Sequence, residues 1–162
     1  MPRVTSLGHM GFYVRDMERS VNFYRDILGV QVSDRSPRGA VFMTAQNRLA
    51  EHHELYLAPG RNDDGKVNVI QQISFRCASV ADVKEFYRVF VENNVPINRC
   101  VSHGNTVSIY AEDPDGNSVE VYWPTGVDVP QPFGKPMDLT KNQAEIMQQL
   151  ETILAEWRAS QA

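Results

Sequence analysis

The chain has 162 residues, 42% of them apolar and 22% charged, with a formal net charge of -4 and a sequence pI near 5.5. That length suits one well-buried domain, and the acidic balance gives a nucleic-acid partner no electrostatic footing. No apolar run approaches the roughly 20 residues of a bilayer span, so neither nucleic acid nor membrane is an expected partner.

The opening MPRVTSLGHMG lacks the apolar core of a secretory signal. The two cysteines, Cys77 and Cys100, show no metal-like spacing and are expected as reduced thiols of a cytoplasmic protein. From there the chain repeats itself. HMGFYVRDMERSVNFYR (9–25) aligns without a gap on QISFRCASVADVKEFYR (72–88), matching Phe12 with Phe75, Phe23 with Phe86, Tyr24 with Tyr87 and Arg25 with Arg88. HHELYLAPG (52–60) aligns on SVEVYWPTG (118–126), setting Glu54 on Glu120 and Tyr56 on Tyr122. Two matches in one order imply a duplicated unit of about 60 residues.

Each copy begins with an alternating strand, expected over Leu7–Val14 and Val69–Cys77. Asp16 reads as a helix N-cap, and Ser79 with Asp82 as a capping box. The helices carry apolar stripes of Phe23, Ile27 and Leu28, ended by Gly29, and of Val83, Phe86, Phe90 and Val91. Three further strands complete each copy, near Val30–Asp34, Ala40–Thr44 and His53–Leu57, then near Ile97–Ser102, Thr106–Ala111 and Val119–Trp123. DPDG (113–116) is the turn before the last. The expectation is an α+β fold of two tandem βαβββ modules, about 5–60 and 68–126, joined as a curved open-barrel trough. PTGVDVPQPFGKP follows as an extended strap rather than a strand. A last helix near Leu139–Arg158 carries Ile146, Met147, Leu150, Ile153, Leu154 and Trp157 along one stripe. Lying outside the duplicated unit, that stripe suggests a homodimer.

The repeat puts His9 and Gln72 on the first strands and Glu54 and Glu120 on the last. A polar group inside an apolar strand is costly unless paired, and paired positions related by the repeat argue for a common purpose. Histidine, carboxylate and an amide oxygen form a donor set for Fe(II), Mn(II), Zn(II) or Ni(II). Strand alternation lets only one of His53 and Glu54 face such a site. The repeat favours Glu54.

GHMGFYVRDMERSVNFYRDILG, its second copy and SIYAEDPDGNSVEVYW resemble the vicinal oxygen chelate superfamily, which includes glyoxalase I, epimerases, resistance proteins and extradiol dioxygenases. The resemblance covers about residues 5–125. HHELYL, VSIYAEDPDGN and the His103-Gly104 pair seven residues before Tyr110 are most similar to small single-domain catechol 2,3-dioxygenase-like members. That likeness implies His9 and Glu120 as iron ligands, with Gln72 at the remaining ligand position, where dioxygenases tend to histidine. It implies His53, rather than Glu54, as the inward acid–base residue, and His103 with Tyr110 as hydrogen-bond partners of substrate oxygens.

The activity so implied is Fe(II)-dependent cleavage of a catechol-like ring beside its hydroxyls, with dioxygen as co-substrate. Two other readings compete. A glyoxalase- or epimerase-like isomerase would ligate its metal through both Glu54 and Glu120, and a resistance-type binding protein would keep the trough without the metal.

Overall fold

In the computed structural model, which describes residues 6–63 and 70–161, the chain divides into two units, Met1–Val67 and Asn68–Ala162. Residues 1–5, with the start of MPRVTSLGHMG, and Val69, the expected start of the second copy, lie outside the described residues.

The first unit runs β1 (Met10–Val14), α1 (Met17–Asn22), β2 (Gln31–Arg35), β3 (Val41–Thr44) and β4 (Leu55–Pro59). The Asp16 carboxylate caps α1 by accepting from Arg19 N at 3.0 Å. The helix then widens into a π-helical turn, Phe23–Ile27, with Leu28 N donating to Phe23 O. Gly29, at φ +76°, ends it in a conformation that favours glycine. The sheet order is β1-β4-β3-β2, with β1 and β4 parallel and the other pairs antiparallel. Phe12, Val14, Val41, Met43, Leu55 and Leu57 bury against Val21 and Tyr24. The Tyr24 ring, fully buried, meets Phe12 and Phe23 edge-on.

The second unit repeats this order: β5 (Ile73–Arg76), α2 (Val80–Glu92), β6 (Ile97–Ser102), β7 (Thr106–Glu112) and β8 (Ser118–Pro124). Ser79 and Asp82 form the expected capping box. Val80, Val83 and Phe90 of α2 are buried with Ile73, Val107, Ile109, Val119 and Val121 of the sheet. Val91, expected on that stripe, is instead 54% exposed; it follows Phe90 directly, and at about 100° per residue falls off the buried face.

Two expectations about the tail are corrected. The strap ends in a short strand, β9 (Lys135–Pro136), which pairs antiparallel with β6 and makes the order β5-β8-β7-β6-β9. The last helix, α3 (Gln143–Ala159), starts four residues late because an Asn142–Glu145 capping box sets its first turn. Ile146, Leu150, Ile153 and Leu154 are buried within the chain, and α3 lies against α2. That stripe therefore gives no reason for a second chain. Among the described residues no helix is long and apolar enough to cross a membrane.

Both sheets carry a bulge at the same place, between Val32 and Asp34 in β2 and between Ile97 and Arg99 in β6. Matching the sheets by their hydrogen-bonded register gives one rung of Asp34, Phe42, Tyr56 and Gly11 in the first, and of Arg99, Tyr110, Glu120 and Ser74 in the second. Glu120 thus corresponds to Tyr56, an offset of 64 rather than 66. The expected equivalence of Glu54 and Glu120 is not the structural one.

Candidate metal and substrate site

In the second unit the polar residues gather on the face of the sheet away from α2. Gln72 lies just ahead of β5, as His9 lies just ahead of β1, so the repeat does relate these two positions, although neither is inside its strand. The Gln72 side-chain amide donates to Glu120 Oε2 at 3.1 Å and to Ser74 Oγ at 2.9 Å. Ser74 Oγ–H donates to the same carboxylate oxygen at 2.6 Å. Glu120 is 7% exposed, and among the described residues no cationic group lies within ion-pair distance of it. A buried carboxylate held only by neutral donors is electrostatically incomplete. A divalent cation would supply the missing charge, and the Gln72 amide retains an oxygen that could serve as a further donor.

The turn that delivers Glu120 is built by Asp113. Its carboxylate accepts from the backbone of Asp115 and Asn117 and from the Asn117 amide, at 2.8–2.9 Å. Gly116 closes the turn at φ +79°. DPDGN is thus an Asx-type device that sets the start of β8, two residues ahead of Glu120.

Tyr110 pairs with Glu120 across β7 and β8. Burial, and next the Glu120 carboxylate, push its hydroxyl up to about 12 against an opposing pull from Arg99. His103 stands 3.0 Å from the Tyr110 hydroxyl through Nε2, and 2.7 Å from the Phe133 carbonyl through Nδ1. A carbonyl only accepts, so Nδ1 carries the proton. In the neutral ring Nε2 then accepts from Tyr110 Oη–H. The strap is what fixes this tautomer, and Gln131 holds the strap by donating to the His103 carbonyl at 2.9 Å.

In the first unit, His9 and His53 pack with ring centroids 4.3 Å apart. His53 also meets the Phe42 ring at 5.0 Å, and its Nδ1 lies 3.0 Å from His52 Nδ1. Burial, then the nearby His9 and His52, hold the His53 ring below the ordinary histidine value. Glu54 has other work. Its carboxylate accepts from Thr44 Oγ1 at 3.2 Å, Ala45 N at 2.8 Å and Gln46 Nε2 at 3.1 Å, tying down the chain that leaves β3.

The expected either-or between His53 and Glu54 also dissolves. β4 begins at Leu55, so neither residue obeys strand alternation. Leu55 and Leu57 go to the α1 core, while Tyr56 pairs with Phe42 on the face that His53 also contacts.

The structure thus brings Gln72, Glu120, Tyr110 and His103 together in one unit and His9 with His53 in the other. Within each unit, the described His, Cys, Asp and Glu side chains form no group of three fit to hold a metal; the expected ligand set depends on the glutamine amide. Sequence reasoning missed Ser74 and Arg99. Ser74, two residues past Gln72, was within reach of a period-2 reading; Arg99 was not, because the bulge in β6 sets it opposite Tyr110.

Comparison with known proteins agrees with this architecture. The pattern of the Glyoxalase/Bleomycin resistance protein/Dioxygenase superfamily matches residues 6–121. Metallothiol transferase FosB of Staphylococcus saprophyticus is 30% identical over 124 residues, covering 74% of this chain and 77% of that protein. The 1,2-dihydroxynaphthalene dioxygenase of Pseudomonas sp. (strain C18) is 24% identical over 144 residues, covering 83% of this chain; the chain spans only 44% of that relative's length. A solved lactoylglutathione lyase from Agrobacterium tumefaciens shares the fold, with a TM-score of 0.58 at 22% identity over 75% of this chain and 96% of that one. A transferase, a dioxygenase and a lyase therefore share this framework, and fold alone does not choose among their chemistries. The chain belongs to the Glyoxalase/Bleomycin resistance protein/Dioxygenase superfamily.

Proposed function

We propose that the protein is a metal-dependent extradiol-type dioxygenase that opens a catechol-like ring beside its two hydroxyls. His9, Gln72 and Glu120 hold the metal in this reading, Fe(II) by preference, with Mn(II), Zn(II) or Ni(II) as alternative occupants. When bound, such an ion supplies Lewis acidity toward the catechol oxygens and a site where dioxygen and the ring can meet. The observation that carries the reading is the Phe133–His103–Tyr110 hydrogen-bond chain set directly beside the buried Glu120 carboxylate.

The protein's own groups divide the remaining work. Tyr110, kept protonated by burial and by Glu120, gives its proton to His103 and presents its oxygen as an acceptor for a catechol hydroxyl. His103, its tautomer fixed by Phe133, holds that hydroxyl in place. His53, kept neutral near pH 7 by burial and by its histidine neighbours, is able to take a catechol proton and return it.

The isomerase reading needs Glu54 as a second carboxylate ligand. The three hydrogen bonds from Thr44, Ala45 and Gln46, and the correspondence of Glu120 with Tyr56, weigh against it. Anaerobic loading with Fe(II), followed by oxygen uptake and ultraviolet–visible spectra with catechols, tests the proposal. A ring-opened product with one dioxygen consumed per catechol is expected. A loaded protein that leaves every catechol intact ends the dioxygenase reading, and a protein that takes up no divalent ion favours the resistance-type one.

A further inference from the structure

One cation on the candidate face has no assigned role. Arg99 projects from β6 on the rung of Tyr110, Glu120 and Ser74, and its guanidinium carbon lies 4.2 Å from the centre of the Tyr110 ring. The side chain is exposed, and among the described residues no carboxylate stands within ion-pair distance of it. Its counterpart in the first sheet is Asp34, whose carboxylate has cationic neighbours, Arg48 at 3.9 Å and His52, when protonated, at 3.7 Å. The duplicated rung is thus charged at the same end in both copies, and among the described residues the charge of the second has no opposite within ion-pair distance.

A guanidinium stacked on an aromatic ring keeps its planar edge and donors available, which suits a bidentate carboxylate. We propose that Arg99 determines specificity, binding a carboxylate carried by the aromatic substrate. The substrate class is then an aromatic acid whose ring lies by Tyr110 and whose side-chain carboxylate reaches Arg99 on β6. This rests on the reading of the face as a ring-binding site, and it adds to that reading the charge of the molecule bound.

The test compares three probes by isothermal titration with the metal-free and the Fe(II)-loaded protein. They are a catechol bearing a short carboxylate side chain, its methyl ester, and the same aromatic acid without hydroxyls. Wild type should bind the catechol acid about tenfold tighter than its ester, the value of one charge-assisted hydrogen-bonded contact at an exposed site, and the acid without hydroxyls should still bind the metal-free protein. Arg99→Gln should erase that preference, and Arg99→Lys should keep part of it, retaining charge without the planar fork. Circular dichroism of both variants checks that the exposed substitution leaves the fold intact.

Equal affinity of wild type for acid and ester overturns the proposal. So does a preference that survives Arg99→Gln, or a failure of all three probes to bind. If the acids bind through Arg99 but no catechol is ever cleaved, the dioxygenase reading falls and the anion site stands. If acid and ester are cleaved with equal kcat/KM, the anion site falls and the dioxygenase reading stands.

Discussion

Tyr56 and Glu120 occupy the same rung of their respective sheets, each third in a row of four. Tyr56 has Phe42 on one side and Gly11 on the other; Glu120 has Tyr110 and Ser74. A Cβ on Gly11 would stand 3.0 Å from Tyr56 Cδ1, so glycine there makes room for the ring. Ser74 instead donates to the carboxylate at 2.6 Å. One framework carries an aromatic pair in the first copy and a buried carboxylate among neutral donors in the second.

The anionic centre makes a stability prediction with two parts. Glu120→Gln should abolish tight uptake of Fe(II) or Zn(II), because it removes the one charged donor of its cluster. In the metal-free protein the same change relieves an uncompensated buried charge, so stability should not fall. A gain of about 1 kcal/mol would raise Tm by roughly 2–4 °C for a chain of this size. Metal analysis and metal-free thermal melts check both parts; undiminished metal uptake by the variant would remove Glu120 from the ligand set.

Gln72→His should strengthen the same centre. Imidazole is a better donor to Fe(II) or Zn(II) than a neutral amide oxygen. A competition titration against a chelator should show affinity rising by about tenfold or more, roughly 1.4 kcal/mol. Unchanged affinity would mean that position 72 does not reach the metal.

The order βαβββ, twice over, was legible in the sequence, as were Asp16, the Ser79–Asp82 box and the DPDG turn, because caps and turns are local chemistry. The register was not. The link between β3 and β4 is longer than that between β7 and β8, so the two copies slip against each other. Letter matches of Glu, Tyr and Gly then align two residues away from the hydrogen-bonded correspondence. Since side chains alternate with period 2, a two-residue slip keeps the face and changes the rung. Of the site, His9 with Gln72 and His103 with Tyr110 were readable from repeat and resemblance. The Phe133 carbonyl was not, because a backbone acceptor leaves no signature in residue types.

That acceptor depends on where the strap lies, and Gly104 helps to place it. At φ +73°, a Cβ there would sit 2.6 Å from Val129 Cγ2. Gly104→Ala would therefore combine left-handed strain of about 1–2 kcal/mol with overpacking of about 1–3 kcal/mol. Urea unfolding should show a loss of about 2–5 kcal/mol, and limited proteolysis should cut more readily between residues 127 and 136. A variant as stable and as protected as wild type would show that the strap is not seated through Val129.

The two thiols predict a pH dependence. Burial first, then Asp82 for Cys77 and Asp138 for Cys100, push both up to about 11. The folded values exceed the unfolded ones, so the neutral thiols contribute stability below about pH 8.5 that is lost as pH rises through 11. At pH 8 the thiolate fraction in the folded chain is on the order of 0.1%, and the thiolate is the nucleophile. Alkylation by iodoacetamide should therefore run about 100-fold slower in the native protein than in urea. A native rate equal to the unfolded one would show both thiols fully accessible.

His53 and Glu54 are adjacent, yet their substitutions should separate cleanly. His53 touches His9 and Phe42, and its ring is held below the ordinary value. Neutral at pH 7, it is suited to accept a proton. His53→Ala should leave metal content nearly unchanged and lower turnover of a catechol by about 100- to 10,000-fold, the range of a positioned acid–base group. Glu54 anchors residues 44–46 through three hydrogen bonds. Glu54→Ala should keep the metal and cost about 1–2 kcal/mol in urea, the value of hydrogen bonds to a half-buried charge. Metal analysis, denaturation and oxygen uptake on both variants decide the matter. If Glu54→Ala strips the metal while His53→Ala changes neither metal nor turnover, Glu54 is a ligand after all, and the isomerase reading replaces the dioxygenase one.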